Sequence, residues 1–418
     1  MHLIMPYRYR VLILLCSLTT LTYLDRICIS IVGVRLKADL GLNNEQFGWV
    51  LASFSFAYAL FEIPSGMLGD RIGPKAVFIR IVLFWSLCTA ATGFAGGLIS
   101  LMVIRFLFGI GESGTYPNIL IVISRWYPVQ ETGRSLTWVG IGSQIGSAIA
   151  PLLIVPLAIN YGWRVPFIIN AAIGIVWVTA CYKWFKDFPS ELKKISPAEL
   201  SLIESNRRFS TTQHLISWKI IFRNPTVWGL MLMYFCCQCS NYFFITWMPV
   251  YLQEGRHFSE NAMKLITTLV FVVGIGGFLS GGLMADILSK RFGLKYGRRA
   301  IGVTGLSCCG LLIFMTAIFN QPVAVAACII GANFCFAFSV MISYAVCTDI
   351  GRNNAGTVTG AMNFFGQTGG LVVSLFFGKI ADLMHNFNYP LFLLAAITCC
   401  GGLLWLLIDP TRQLKNAV

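Results

Sequence analysis

Four ionisable residues stand where such residues are costly. Asp25 and Arg26 lie inside an apolar run over 10–34, and Arg105 and Glu112 inside another over 99–123. At the centre of a membrane helix each group costs roughly 2.5–3.5 kcal/mol on insertion scales. Four would cost on the order of 10 kcal/mol unless they pair and face a wet cavity. Arg105 and Glu112 are seven residues apart, two helical turns, and share one helix face. Two structural ion pairs knitting the helices together would satisfy the charges, but buried pairs stabilise poorly beside apolar packing. Anion and proton handling suits these residue types better. A guanidinium is a planar, permanently charged fork that grips a carboxylate. A neighbouring carboxylate occupies that fork when ionised and frees it on taking a proton.

The elements that must position these residues follow from composition. The chain has 418 residues, 56% hydrophobic and 11% charged, against roughly 25% charged in soluble domains. Its apolar runs approach 20 residues, the length a helix needs to cross about 30 Å of hydrocarbon. They fall at 10–34, 46–68, 76–96, 99–123, 135–158, 164–185, 225–251, 262–288, 300–319, 322–346, 354–378 and 387–408. The expected fold class is an all-α membrane protein of twelve transmembrane helices. A net charge of +14 raises nucleic acid as a partner, but the placement of the charges removes it. With the N-terminus inside, 23 of the 31 Lys and Arg residues are cytoplasmic, 6 are external and 2 are intramembrane. That is the positive-inside pattern, and it places both termini in the cytoplasm. The first run follows Arg8 and Arg10 as a signal peptide's core would. It is too long for one and carries Asp25 and Arg26, so it reads as a mature helix. The 14 cysteines lack histidine-backed ligand spacing and read as small apolar side chains, with no metal. A Gly-x-Ser-x-Gly elbow, a His-Glu-x-x-His pair and a Walker loop are all missing, which disfavours an enzyme.

Residues 187–224 form the one long polar stretch, with Glu191, Lys193, Lys194, Glu199, Glu204, Arg207 and Arg208. They divide the chain into a six-helix bundle over 1–186, a cytoplasmic linker and a second six-helix bundle over 225–418. A Ser-Pro-Ala-Glu start predicts a helix from Ser196 to Arg208. The halves resemble each other. Gly66-Met-Leu-Gly-Asp70-Arg71-Ile-Gly73-Pro-Lys75 has a degenerate copy in Gly282-Leu-Met-Ala-Asp286 with Lys290, Arg291 and Gly293. Aligning Asp286 with Asp70 is an offset of 216 residues, which carries Asp25 onto Asn241. A second echo pairs Ser143-Gln144-Ile-Gly146 with Gly366-Gln367-Thr-Gly369. Repeated halves about a central site are a frequent design of alternating-access carriers.

The Gly-x-x-Gly-Asp-Arg-x-Gly-Pro-Lys loop and its second copy resemble the signature of the major facilitator superfamily. More narrowly, Tyr23-x-Asp25-Arg26, the run from Arg105 to Glu112, Tyr116-Pro-Asn118, the run from Tyr242 to Leu252 and Ala355-Gly-Thr-Val-Thr-Gly360 resemble the anion:cation symporter family. That resemblance implies a secondary carrier of organic anions such as hexuronates, aldonates and aldarates. It implies proton coupling at Asp25 and Glu112, substrate contact at Arg26, and coupling of Arg105 to the acid two turns on. Asp70, Arg71, Asp286 and Arg291 would latch the cytoplasmic gate of the outward-facing state.

The second-half partner of Asp25 is the neutral Asn241, and Tyr242 stands opposite Arg26. Charge handling therefore falls to the first half, while the second supplies polar and aromatic walls. Tyr23, Tyr58, Gln144, Gln238, Asn241, Tyr242, Asn363 and Gln367 are the substrate-binding candidates beside Arg26 and Arg105, because hydroxyl-rich anions need donors and acceptors. Any of them can also serve as interhelical glue. Glu62, before Ile63-Pro64, reads as gating or packing. The expectation is a proton-coupled symporter of a small organic anion in a bacterial inner membrane, acting as a monomer among lipid, with no cofactor besides the coupling ion. An organophosphate:phosphate exchanger and a proton-coupled efflux carrier are the rivals.

Overall fold

Within hydrocarbon a backbone finds no water, so its amides must be bonded inside each segment, and helices do that. A computed structural model describes residues 5–128, 131–192, 195–205, 223–351, 355–412 and 414, and no strand occurs among them. The first half is α1 (Tyr7–Ile31), α2 (Gly33–Leu40), α3 (Asn44–Ile72), α4 (Pro74–Thr92), α5 (Leu98–Glu112), α6 (Thr115–Trp126), α7 (Thr132–Tyr161) and α8 (Val165–Trp184). After α9 (Pro197–Ser205) come α10 (Pro225–Tyr242), α11 (Glu260–Phe292), α12 (Leu294–Ile318), α13 (Pro322–Gly351), α14 (Ala355–Met384) and α15 (Asn388–Leu404). Counting α5 and α6 together, 11 helices among the described residues are long and apolar enough to cross a membrane. The remaining expected span, 225–251, is built in pieces. α10 continues through a π turn (Phe243–Trp247), an α turn (Met248–Val250) and a second π turn (Tyr251–Gly255). Pro249 lacks the N–H of a regular ladder, and π turns gather at functional sites.

Local sequence sets the helix ends. Asn43 and Gln46 close a capping box at α3, and Ser259 caps α11. Gly73 (φ 87°) and Gly293 (φ 84°) end α3 and α11 in a conformation other residues rarely adopt. The two copies of the loop motif thus make the same turn. The linker helix is α9, shorter than Ser196–Arg208, and 206–208 lie outside the described residues. Its Glu199 accepts the backbone N–H groups of Tyr7 (3.1 Å) and Arg8 (3.0 Å). A carboxylate there bonds two orphan donors at the positive end of α1.

In the first half α1 packs on α7, α3 on α5, and α4 on α5 and α8; in the second α11 packs on α13, α12 on α13 and α15, and α10 on α14 and α15. The halves meet along two seams, α3 with α14 and α7 with α11. The second sequence echo is a packing motif. A Cβ on Gly146 would lie 2.2 Å from the Thr20 carbonyl oxygen, and one on Gly369 would lie 2.4 Å from that of Phe235. Small residues let the backbones of α7 and α1, and of α14 and α10, touch directly.

Candidate functional site

Asp25 and Arg26 are neighbours on α1, so their side chains leave the helix about 100° apart. Arg26 turns toward α3 and α5. Its Nε donates to Glu112 Oε2 at 2.7 Å, the one ion pair at this depth among the described residues. Its guanidinium lies over the rings of Tyr23 (5.2 Å), Phe54 (5.2 Å) and Tyr58 (4.7 Å). Glu112 is fully buried and ends α5, where the helix breaks at Ser113–Gly114 before α6. A broken helix at membrane depth is tolerated where protein surrounds it, and it commonly marks a site. The pair is not saturated: Arg26 Nη2 and Glu112 Oε1 have no partner.

Asp25 points the other way, into the wall of the first half, where Trp85 on α4, Asn170 on α8 and Arg105 surround it. It is 1% exposed, with the Trp85 indole and the Asn170 amide beside its carboxylate and the Arg105 charge close by. Arg105 shares a helix face with Glu112 as expected, yet forms no ion pair with it or with Asp25 among the described residues. Its guanidinium rests on Phe54 (5.2 Å) and Phe108 (4.3 Å), and its Nε is unpartnered. Glu112 has therefore chosen the arginine of another helix over the one on its own.

The neutral candidates divide. Tyr23, Tyr58 and Tyr242 surround Arg26. Tyr242 donates to Gln367 Oε1 at 2.7 Å, joining the site to α14. Asn363 belongs to a cluster that sequence reasoning missed: Tyr234 and Tyr344 share a hydroxyl–hydroxyl bond of 2.7 Å, and Tyr344 donates to Asn363 Oδ1 at 3.4 Å. Tyr116 bonds Tyr23 on the facing side and lies near Tyr344. The signal for this cluster was present in the repeat, since α10 and α13 occupy in the second half the places of the first and fourth spans. Gln238 packs against Gly366, while Gln144 sits in the α7–α11 seam beside Gly274 and Asn333. Asn241 is half-buried and makes no hydrogen bond to any of these. Glu62, one turn below Tyr58, is half-buried and has no ion pair among the described residues.

The expected gate residues Asp70, Arg71, Asp286 and Arg291 are all exposed and form no ion pair with one another among the described residues. The halves are joined instead at the end away from the termini. Arg35 forks onto Glu260 (2.8 and 3.0 Å), and Lys37 binds Glu254 at 2.6 Å and also Asn44. Asp382 accepts from Asn44 Nδ2 (2.7 Å) and the Glu45 amide (2.9 Å), and Lys379 reaches Glu45 at 3.3 Å. Burial is the largest influence on Lys37 and pulls its ammonium below the usual lysine range, against the opposing pull of Glu254. Beneath these links the backbones touch: a Cβ on Gly378 would lie 2.3 Å from the Asn44 carbonyl oxygen. Sequence reasoning used these charges only for orientation. The hint it passed over is their complementarity, acids facing bases across the two halves.

The geometry is that of a two-bundle carrier latched at one end, and the comparisons agree with it. The family model of the Major Facilitator Superfamily matches residues 15–374. A probable sulfoacetate transporter of Cupriavidus necator is 30% identical, over 96% of this chain and 94% of that protein. A hexuronate transporter of Bacillus subtilis is 29% identical, over 92% of this chain and 89% of its own. The crystal structure of a bacterial homolog of the human lysosomal transporter Spinster, inward-facing and occupied, superposes with a TM-score of 0.78 at 18% identity, covering 99% of each chain. The chain belongs to the Major Facilitator Superfamily, a family of integral membrane transporters and not of enzymes.

Proposed function

We propose that this protein is a proton-coupled symporter of a small organic anion of the sugar-acid class, working by alternating access. The observation that carries the reading is the buried Arg26–Glu112 pair with one free edge on each partner. Arg26 offers N–H groups to a substrate carboxylate while Glu112 still holds its Nε. A proton on Glu112 weakens that hold and frees the fork. Departure of anion and proton on the other side restores the pair. Asp25, buried beside Arg105, is the second carboxylate available to the proton. Tyr234, Tyr344, Asn363 and Gln367 supply neutral donors and acceptors that suit hydroxyls along a sugar acid.

Arginine-adjacent carboxylates suit a proton better than sodium, whose sites use several oxygens. The excess of Lys and Arg at the end carrying the termini supports a cytoplasmic placement of that end, and on that reading the latched end is external and this state faces inward. The relatives named for sulfoacetate and hexuronate favour an organic anion. The exchanger rival would want an arginine from each half for a phosphoryl dianion; Arg256 of the second half is instead held at the far end by Tyr251 and the Thr316 carbonyl.

Uptake into proteoliposomes tests the reading, with labelled galactonate, glucuronate and glycerol phosphate supplied with and without an inward proton gradient. Gradient-driven accumulation of a sugar acid is expected, lost on Arg26→Gln. Glu112→Gln is expected to retain exchange and lose accumulation. Glycerol phosphate exchange indifferent to the gradient would overturn the assignment.

A further inference from the structure

We propose that Glu62 is the release residue of this carrier: its carboxylate competes with the substrate anion for the free edge of Arg26 and takes that edge as the anion leaves. The inference rests on reading the chain as an organic-anion carrier and adds a residue that the Arg26–Glu112 exchange does not use.

Helical spacing places Glu62 for this. It stands four residues after Tyr58 on α3, so the two share a face, and Glu62 lies about 6 Å farther from the latched end. α3 starts at that end, where Asn44 meets Asp382. Side chains lean toward the start of their helix, so the Glu62 carboxylate reaches back toward Tyr58. The buried Tyr58 ring has the Arg26 guanidinium 4.7 Å from its centre. Arg26 and Tyr58 are in electrostatic reach of Glu62, and so is Tyr344 of α13, in the other half. Tyr116 of α6 is in reach of Arg26 and Tyr344, and Glu112 of α5 is in reach of Tyr58. Arg26 is the cation of this set.

Among the described acids at this depth, Glu62 alone is free to change partners. Asp25 and Glu112 are 1% and 0% exposed, the first enclosed by Trp85 and Asn170 and the second bound to Arg26. Glu62 is half-buried and makes no ion pair among the described residues. Arg26 has given its Nε to Glu112 and keeps Nη2 unpartnered. A substrate carboxylate on that edge shares the guanidinium with Glu112. Its departure strands the edge again, and a buried donor without an acceptor is costly. Glu62 lowers that cost: its carboxylate moves in as the anion moves out, through rotamer changes of its own side chain. With Glu112 protonated in the loaded state, Glu62 is the acid that remains to compete.

Glu62→Gln, which keeps the shape and loses the charge, tests this in the purified full-length protein with galactonate, glucuronate and sulfoacetate as probes. Calorimetry gives the affinity, and uptake into proteoliposomes gives the maximal rate. The variant is expected to bind a probe about tenfold tighter, the scale of one lost charge competition. It should also transport more slowly at saturation, because tighter binding is mostly slower release. Glu62→Asp keeps the charge and should stay near the wild type. Glu62→Ser removes the charge in a smaller side chain and serves if the glutamine variant does not fold. A gating or packing role for Glu62 would leave affinity unchanged or weaken it, and either result overturns the proposal while the carrier reading stands. Tighter binding without slower transport overturns it as well. Binding of none of the three probes to the wild type would sink both.

Discussion

At the scale of single residues, function turns on which partner each buried charge has. Arg26 and Glu112 close one hydrogen-bonded pair at 2.7 Å and keep an unused edge each. Removing one member of a buried pair costs about 3–5 kcal/mol by stranding the other, so conservative substitutions inform more than alanine does. The hydroxyl cluster of the second half permits a milder prediction. Tyr344 sits between Tyr234 and Asn363 and bonds both. Tyr344→Phe removes that bridge without changing shape. A neutral hydrogen bond contributes about 0.5–1.5 kcal/mol, so the KM for a polyhydroxylated anion should rise about two- to tenfold with little change in maximal rate. Transport kinetics across a concentration series checks this; an unchanged KM would place the cluster outside the substrate's reach.

At the scale of elements, the helices are positioned by what they lack. α1 and α7 cross with Gly142 and Gly146 against the backbone of Cys16 and Thr20, and the repeat places Gly369 against Phe235 in the same way. That contact fixes the height of α1, and with it the height of Arg26. Gly146→Val would bring a branched side chain to a point 2.2 Å from a carbonyl oxygen. Overpacking of this kind costs about 1–3 kcal/mol or more. A lower melting temperature in detergent and weaker transport are expected together, and unchanged thermal unfolding would contradict the close crossing. The seventh span shows the opposite strategy. The first of its two π turns interrupts the regular ladder directly after Tyr242, at the wall of the site.

At the scale of the whole molecule, the two halves form a seesaw held at one end. Arg35–Glu260, Lys37–Glu254 and the Asp382 bonds join them away from the termini, while Asp70, Arg71, Asp286 and Arg291 stand apart at the other end. Lys37 is 5% exposed, so the latched state depends on its partner. Glu254→Gln combined with Asp382→Asn should shift the population toward the state open at this end, because only the latched state loses bonds. Hydrogen exchange followed by mass spectrometry should show faster exchange at the start of α3 and the end of α14. Unaltered exchange there would mean that backbone contact, such as Gly378 against Asn44, holds the end shut without help from the charges.

The sequence by itself determined the helical membrane class, the repeat and the four buried charges. Each of these follows from local quantities: run length against bilayer thickness, spacing along one chain, and the insertion cost of a charge. The loop motif and its copy were legible as a repeat, and the structure shows that both end a helix at a positive-φ glycine, Gly73 and Gly293. Partner choice was not legible. Arg105 and Glu112 share a face, but two turns, about 10 Å, separate them along the axis, and Glu112 bonds Arg26 of α1 at 2.7 Å instead. The direction of Asp25, away from Arg26 and into the wall by Trp85 and Asn170, depends on how α1 is rotated against α4 and α8. The latch away from the termini depends on which loops of two distant halves meet. These are relations among helices packed in three dimensions, set by small-residue crossings between segments far apart in the chain, and only the tertiary structure decides them.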